Sequence, residues 1–336
     1  MPWYRHLLWP FAILYGIAVW IRNRLFDFGV FSSEKFDVPV ICVGNLEAGG
    51  TGKSPLVNYI VALLVTNNRN VAVLSRGYGR STKGFLFVKE TGKASEVGDE
   101  PLQAKLRFPE VTVAVCENRV KGIQQLLETA PKPDVIVMDD GFQHRWIKPS
   151  LSILVSPSTK PFWRNQLLPV GTLREGKSES KRADVFVVGG EDSLVANAGF
   201  DVETFHSKVV SGALVQFSGN RFDVSELQDV VLFSGIANHE RFEDLVANNY
   251  KVLEHLKFAD HHNYSVSDLS SLRKLDSFGT TVNAVITTEK DAARLANSTI
   301  LQELKNVPMF YLPINIEFGE MTSEFDKMIV EHGKYA

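Results

Sequence analysis

Residues Val38–Ser54 read VPVICVGNLEAGGTGKS, in which a short apolar, β-branched run is followed at once by a glycine-rich turn. An apolar run of this length predicts a buried strand, and the spacing of apolar residues over Pro55–Val65 predicts a helix directly after the turn. A strand, a glycine-rich turn and a helix are the context that a phosphate-binding P-loop requires. Its glycines let backbone N–H groups face phosphate oxygens, and the helix N-terminus adds its positive dipole.

The turn supplies six candidate nucleotide-binding residues, namely Gly49, Gly50, Thr51, Gly52, Lys53 and Ser54. We expect Lys53 to reach the β- and γ-phosphates and the Ser54 hydroxyl to bind Mg²⁺. The strict motif, G-x-x-x-x-G-K-[ST], would place its first glycine where this chain has Glu47. Gly44 and Gly49 are therefore expected to supply the turn. The alternative interpretation is a glycine-rich turn that binds no phosphate.

Strands and helices alternate through the first two hundred residues. Further strands are predicted at Asn70–Gly77, Val111–Val115, Asp134–Gly141, Ser150–Ser156 and Ala183–Gly190. This alternation predicts parallel βαβ units, and hence an α/β chain with a doubly wound P-loop NTPase-type sheet over residues 25–204.

The pattern changes near residue 200. Residues 205–224 are predicted to form a linker or hairpin, because polar and apolar residues alternate there without a following helix. Strands at Ala284–Thr288 and Val307–Pro313 predict a second, smaller α/β domain over 225–315. A C-terminal helix is expected within residues 316–336, most clearly at Thr322–His332.

Length and composition agree with two folded domains. The 336 residues exceed what one compact core usually holds, and 44% hydrophobic with 22% charged residues is ordinary for a globular protein. The net charge of −3 does not favour a nucleic-acid partner. Two cysteines, Cys42 and Cys116, cannot build a disulfide framework or a thiolate metal cage on their own.

The N-terminal residues 1–24 contain an uncharged run, Leu7–Ile21, that reads LLWPFAILYGIAVWI. Tryptophans and tyrosines lie within and before it and arginines flank it, which is typical of a helix that lies in a membrane interface. A buried helix is the alternative, and the run is short for a membrane span. Pro10 is expected to disturb a helix through this run.

Polar residues follow several of the predicted strands, at the sheet edge where open α/β folds bind ligands. Asp139 and Asp140 end an apolar strand, a position where P-loop proteins hold Mg²⁺, although a turn acid is the alternative. Further candidates are Arg76, Arg119, Gln143, His144, and the pair Arg174 and Glu175. Arg76 suits an anionic substrate.

Two carboxylate–histidine features remain. Asp99, in the sequence GDEP, is either a helix cap or a carboxylate that accepts a hydroxyl proton. Asp260, His261 and His262 are adjacent, which makes a poor metal chelate but allows acid/base chemistry across a cleft. Lys290, in the sequence TTEKD, is in a position to contact a ligand across that cleft.

These motifs together resemble the tetraacyldisaccharide 4′-kinases of lipid A synthesis. The matching pieces, in order over residues 40–291, are VGNLEAGGTGKSP, SRGYGR, GDEP, ENR, MDDGFQHR, LLPVGTLRE, FADHHNY and TTEKD. The resemblance implies a kinase that uses ATP and Mg²⁺ to phosphorylate the 4′-hydroxyl of a tetraacyldisaccharide 1-phosphate. It also implies peripheral or monotopic attachment to the cytoplasmic face of the inner membrane of a Gram-negative bacterium.

The resemblance also implies roles for individual residues. Lys53 and Ser54 would serve the phosphates and Mg²⁺, and Asp139 and Asp140 the metal and the transferred phosphoryl group. Asp99 resembles the catalytic carboxylate, and its expected histidine partner is His261, with His262 as the alternative. The residues expected to line the substrate and phosphate site are Arg76, Arg119, Gln143, His144, Arg174 and Glu175.

Two other functions are consistent with a P-loop. One is a kinase or synthetase that acts on a soluble small molecule, which would have no use for an exposed apolar N-terminus. The other is a membrane-tethered nucleotide switch that hydrolyses ATP or GTP and binds a protein. The chain contains no NKxD-type string for reading guanine, which disfavours GTP.

Overall fold

The computed structural model describes residues 7–190, 202–218, 223–270, 272 and 282–334. The helices are α1 Trp9–Asp27, α2 Lys53–Thr66, α3 Ala94–Val97, α4 Asp99–Arg107, α5 Arg119–Leu127, α6 His239–Ala247, α7 Glu289–Leu295, α8 Thr299–Glu303 and α9 Thr322–His332. The strands of the first part are β1 Val40–Gly44, β2 Val71–Ser75, β3 Leu86–Phe87, β4 Thr112–Val115, β5 Val135–Asp139, β6 Leu151–Pro157, β7 Val185–Gly189 and β8 Glu203–Ser211. Those of the second are β9 Val215–Ser218, β10 Asp229–Ser234, β11 Lys251–Lys257, β12 Val282–Thr288, β13 Met309–Leu312 and β14 Ile314–Glu317.

The larger sheet has nine strands in the order β14-β8-β7-β6-β1-β5-β2-β4-β3. All neighbours are parallel except at the two edges, where β14 and β3 run antiparallel to β8 and β4. The strand β1 lies near the centre, with β5 and β6 on either side. The carboxyl ends of these parallel strands therefore meet at one edge, which confirms the predicted parallel-sheet fold and brings the P-loop beside Asp139.

The smaller sheet has five strands in the order β11-β10-β12-β13-β9, with β9 antiparallel to β13 and the others parallel. The predicted linker over 205–224 differs from the structure. Most of its first half is β8, which pairs with β7 and β14 in the larger sheet, and β9 belongs to the smaller one. After β13 the chain returns to the larger sheet through β14, so the chain connects the two sheets twice.

Helices cover both faces of the larger sheet. One face is covered by α2, whose Leu56, Ile60 and Leu64 are fully buried against the strands. The C-terminal helix α9 lies beside α2, and the Tyr59 hydroxyl donates to Asp326 at 2.6 Å. The other face packs against α5, which buries Ile123. Helix α9 therefore belongs to the core of the larger sheet.

The helix α1 has one packed side and one exposed side. Ala12 and Phe26 are buried, while Phe11, Ile13, Leu14, Ile17, Trp20 and Ile21 all remain about half exposed or more. The expectation that Pro10 disturbs this helix is wrong. Pro10 lies in the first turn of α1, where the missing N–H is not needed. Among the described residues, no helix combines the length and apolar character needed to cross a membrane.

Candidate active site

The P-loop connects β1 to α2 through a turn held by side-chain hydrogen bonds. Gly49 and Gly52 have φ of +113° and +90°, the left-handed region that favours glycine. Gly44, by contrast, lies within β1, and a Cβ there would be 2.5 Å from the Cβ of Phe142. Gly49 thus contributes to the turn as predicted, whereas Gly44 does not and instead allows Phe142 to approach β1 closely. The Asn45 amide donates to the buried Thr51 hydroxyl at 2.7 Å.

Glu47 occupies the position of the missing glycine and is buried under the loop. Its Oε1 accepts a hydrogen bond from Asn165, while Oε2 has no partner among the described residues. The backbone N–H of Ala48 donates to the Thr172 carbonyl at 2.7 Å. Burial raises the pKa of Glu47 because it disfavours the charged form. Glu47 therefore ties the loop to residues 165–172.

The two aspartates after β5 lie in different electrostatic environments. Asp139 is buried, and burial together with the charges of Glu100 and Asp140 raises its pKa to about 7. Burial acts in the same direction on Asp140, but hydrogen bonds from Arg174 and the charge of Lys53 outweigh it and hold its pKa well below the usual range. The Lys53 Nζ is 3.5 Å from Asp140 Oδ1.

Asp139 is the better candidate for a metal ligand. Its Oδ1 is buried without a partner among the described residues, and its Oδ2 accepts only a long 3.4 Å bond from Ser75. A cation would neutralise this carboxylate and satisfy the free oxygen. No group of three or more His, Cys, Asp or Glu side chains is clustered for metal binding within the described ranges. Mg²⁺ needs no such cage, since it is usually held by one or two carboxylates with phosphates and waters.

Arg174 connects Asp140 to the P-loop and to α1. Its guanidinium binds the Asp140 carboxylate through two hydrogen bonds of 2.8 and 2.9 Å. The same group donates to the carbonyl and the side chain of Asn45. Its own carbonyl accepts a 2.8 Å bond from the Tyr15 hydroxyl. Arg174 therefore links Asp140, the phosphate loop and the N-terminal helix.

Glu175, the next residue, lies in a buried ion cluster. It is 1% exposed and paired with Arg22 of α1 and with Arg182. Burial raises its pKa, although the two arginines act against this. These contacts place Glu175 between α1 and the residues around Arg182.

A second cationic group lies beside the carboxyl end of β5. Arg119 is buried, and its guanidinium donates to the carbonyls of Glu117 at 3.2 Å and Asp140 at 3.4 Å. Burial and the charges of Arg119 and Arg76 lower the pKa of His144 to about 4, so this histidine is neutral at pH 7. The Gln143 amide donates to the Asn45 carbonyl at 2.7 Å. Arg76 itself is exposed.

Asp99 begins α4, and its side chain does not cap that helix, which has Gly98 as its N-cap. Its Oδ2 lies 2.8 Å from His261 Nδ1 and 2.8 Å from Arg294 Nε, both in the smaller α/β unit. His262 is instead 3.1 Å from Asp268. Burial alone would raise the pKa of Asp99, but the hydrogen bond and charge of Arg294 and the bond to His261 lower it. The geometry thus selects His261 as the partner of Asp99.

The P-loop and the aspartates after β5 lie near the second group, which is formed by Asp99 and its partners. The charge of Glu100, the neighbour of Asp99, contributes to the raised pKa of Asp139. The turn before α4 also touches the turn after β2, since a Cβ on Gly98 would lie 3.2 Å from the Gly77 Cα. The start of α4 therefore lies at the same sheet edge as the P-loop and Asp139.

Sequence patterns did not identify Arg294, Asn45 or Tyr15 as part of this site. Lys290, which the motif TTEKD singled out, is 3.7 Å from Glu100. Arg294 lies one turn beyond, three residues after Asp291, a spacing that brings the two side chains together on a helix. The three-residue spacing of Asp291 and Arg294, directly after a strand at the cleft edge, was the sequence feature that could have identified Arg294.

Comparisons with known proteins agree with this geometry. Residues 4–333 match the family model described as tetraacyldisaccharide-1-P 4′-kinase. A tetraacyldisaccharide 4′-kinase of Parabacteroides distasonis is 37% identical, covering 98% of this chain and 95% of that one. Another from Flavobacterium johnsoniae is also 37% identical, covering 98% and 97% of the two chains.

A solved structure has the same fold. It is a crystal structure of the "apo" form of LpxK from Aquifex aeolicus in complex with ATP. It superposes with a TM-score of 0.79 at 32% identity, and covers 98% of this chain and 99% of its own. The similarity therefore extends over both sheets.

Proposed function

The chain belongs to the tetraacyldisaccharide-1-P 4′-kinase family and is a kinase of lipid A biosynthesis, and on that premise we propose how its residues carry out the reaction. The γ-phosphoryl group passes from ATP to the 4′-hydroxyl of a tetraacyldisaccharide 1-phosphate. The hydroxyl oxygen forms a bond to phosphorus, the bond to the β-phosphate oxygen breaks, and ADP leaves. The hydroxyl proton goes to a carboxylate of the enzyme. This transfer depends mainly on positioning and charge stabilisation.

The P-loop residues Gly49, Gly50, Thr51, Gly52 and Lys53 are proposed to bind the ATP phosphates. Ser54 and Asp139 would hold Mg²⁺, with Asp140 nearby, and a bound Mg²⁺ would neutralise charge on the β- and γ-phosphates. The unpartnered, buried Oδ1 of Asp139 supports this assignment. The bidentate bond from Arg174 fixes Asp140 next to Lys53. Arg76, Arg119, Gln143 and His144 are proposed to line the acceptor side.

Asp99 is proposed to accept the proton of the sugar hydroxyl, with His261 orienting it. Its lowered pKa keeps the carboxylate ionised at neutral pH, which makes it ready but only weakly basic. A weak base is sufficient when the proton leaves late in a loose transition state. The partner histidine comes from the other α/β unit, so the catalytic pair requires both units to be in contact.

The exposed side of α1 is proposed to bind the cytoplasmic face of the inner membrane, where the acceptor lipid would be found. Seven large apolar side chains of this helix are exposed, and soluble monomers rarely expose such a patch without function. Transfer of acyl chains into water costs about 0.8 kcal/mol per CH₂ group. An enzyme attached at the interface avoids that cost, because the chains can stay in the bilayer.

The observation that carries the proposal is the hydrogen bond of 2.8 Å between Asp99 and His261 at the sheet edge that holds the P-loop. The test is transfer of labelled γ-phosphate from ATP to a tetraacyldisaccharide 1-phosphate in detergent micelles. We expect a labelled lipid that requires Lys53 and Mg²⁺, and a large loss of turnover in Asp99→Ala with little change in ATP affinity.

Other outcomes would favour other functions. ATP hydrolysis without a labelled lipid would favour a nucleotide switch. Transfer to a soluble acceptor in place of the lipid would favour a small-molecule kinase. Full lipid kinase activity in Asp99→Ala would show that Asp99 is not the base.

A further inference from the structure

Arg294 of α7 is a buried arginine that no catalytic motif includes, and it contacts the proposed base directly. Its Nε and Nη2 lie 2.8 and 2.7 Å from Oδ2 of Asp99. The side chain of Arg294 is 5% exposed, so this ion pair is shielded from solvent. A shielded arginine–carboxylate pair has a fixed geometry, unlike an ion pair on the surface.

The two hydrogen bonds to the Asp99 carboxylate and its ion-pair contact with Arg294 Nη2 all reach the same oxygen. His261 Nδ1 is 2.8 Å from Oδ2, as is Arg294 Nε. Within the described residues, Oδ1 of Asp99 accepts no hydrogen bond. The carboxylate is thus held by one oxygen, and the other remains available to a hydroxyl group.

Arg294 is itself fixed by the smaller sheet. Its Nη1 donates to the Gly235 carbonyl and to Asp291 Oδ1, each at 2.7 Å. Asp291 is fully buried and accepts further bonds from the Gly235 N–H at 3.0 Å, the Thr288 hydroxyl at 2.6 Å and the Tyr264 hydroxyl at 2.9 Å. The guanidinium therefore has one place to lie, and it sets the place of Asp99.

We propose that Arg294 is a positioning residue for phosphoryl transfer, which holds Oδ2 of Asp99 so that Oδ1 receives the proton of the acceptor hydroxyl. This inference rests on the proposed function, since it needs Asp99 to be the base. A carboxylate held only by His261 would rotate more freely, and small misplacements of a reacting group cost about 100-fold in rate. Arg294 also provides the charge that lowers the pKa of Asp99.

The test compares kcat and the KM for ATP in Arg294→Gln, Arg294→Lys, Asp99→Asn and the double variant Asp99→Asn/Arg294→Gln. We expect Arg294→Gln to lower kcat about 100-fold with KM for ATP changed less than about threefold. Arg294→Lys keeps a cation near Asp99 and should recover part of that loss. In the Asp99→Asn background, loss of Arg294 should have almost no further effect, because groups that act as a unit are not additive.

Arg107→Gln is the matched control. Arg107 also joins the two units, through Glu289 at 3.0 Å, but does not touch Asp99. We expect its kcat to stay within about threefold of the wild-type value, since Arg107 shares no hydrogen bond with Asp99, His261 or Arg294. Thermal unfolding shows which variants are folded, and if Arg294→Gln is not, Arg294→Lys alone should lower kcat about tenfold.

Three results would overturn the inference while the proposed function stands. They are wild-type kcat in the Arg294 variants, an effect on KM for ATP alone, and an equal loss from Arg294→Gln with and without the Asp99 carboxylate. If the wild-type enzyme makes no labelled lipid, the proposed function is wrong and this inference fails with it.

Discussion

Lys53 and Arg174 both approach Asp140, but only Lys53 begins the helix after the phosphate loop. Lys53→Ala should therefore lower transfer of the γ-phosphate about 100-fold or more, because it removes a charge that acts on the transferred group. Asp140 would still be neutralised by Arg174, so the melting temperature should change little. The measurement is labelled transfer to lipid together with thermal unfolding. Activity within a few-fold of wild type would contradict the assignment of Lys53.

His144 makes stability depend on pH in a defined direction. Its pKa is about 4 in the folded protein and 6.5 in the unfolded chain, so below pH 6.5 the unfolded state binds more protons. Its contribution to stability is complete above pH 6.5 and is lost as the pH falls towards 4. In His144→Gln this part of the dependence should disappear, so between pH 6.5 and 4 the melting temperature of the wild type should fall by about 2–4 °C more than that of the variant. A constant difference across this range would contradict it.

At this scale, the sequence identified groups whose chemistry is tied to a motif. The predicted turns and strand ends correctly located four of these residues, namely Lys53, Asp99, Asp139 and Asp140. Arg294 was not found, since its role depends on a carboxylate nearly two hundred residues away. The family resemblance favoured His261 over His262 as the partner of Asp99, and His261 is the histidine that contacts Asp99.

Among the elements, α1 has two roles, membrane binding and a contact with Arg174, and substitutions can separate them. Its exposed side should bind membranes, while Tyr15 on the helix contacts Arg174. Replacing Ile13, Ile17 and Trp20 together by glutamine should weaken binding to vesicles of phosphatidylethanolamine and phosphatidylglycerol about 100-fold or more, because less apolar surface enters the bilayer. Sedimentation with these vesicles measures the change.

The control for α1 is Val215→Gln, an exposed apolar residue of the smaller sheet that should leave vesicle binding unchanged. Unchanged binding in the triple variant would show that another surface carries the attachment. Deleting the helix is a poorer test, because it would also remove the bonds of Tyr15 to Arg174 and of Arg22 to Glu175.

Elements with a strong local pattern were predicted closely, and those defined by distant partners were not. The predicted helix Thr322–His332 coincides with α9, and the strand at Val38–Asn45 contains β1. The segment assigned to a linker forms β8, whose partner β14 lies about a hundred residues later in the chain. Alternation of polar and apolar residues identifies an extended segment but does not identify its neighbour.

For the whole molecule, the return of the chain after β13 makes the C-terminus part of the larger unit. Phe325 of α9 is fully buried, and its ring lies 4.0 Å from that of Phe318 and 5.1 Å from that of Phe205. Phe325→Ala should lower the free energy of unfolding of the larger unit by about 3–5 kcal/mol, because it leaves a cavity.

Hydrogen exchange can assign this loss to one sheet. Faster exchange is expected in β6 and β7 of Phe325→Ala, with β10 and β12 nearly unchanged. Phe310→Ala, which removes a buried ring from the smaller sheet, should give the opposite pattern. Faster exchange limited to the smaller sheet in Phe325→Ala would contradict this division.

The pairing of β8 with β14 shows where the smaller sheet could be separated from the larger one. Ser211 lies opposite Ile314, and the Gly212 N–H donates to the Pro313 carbonyl at 2.8 Å. The smaller sheet is thus an insertion into a hairpin, and a short turn could replace it without separating the two strands. An ancestor without the insertion would keep the phosphate loop and lose His261 and Arg294. In this topology, the residues proposed to bind the nucleotide and those proposed to hold the base lie on two parts of the chain that could have been acquired separately.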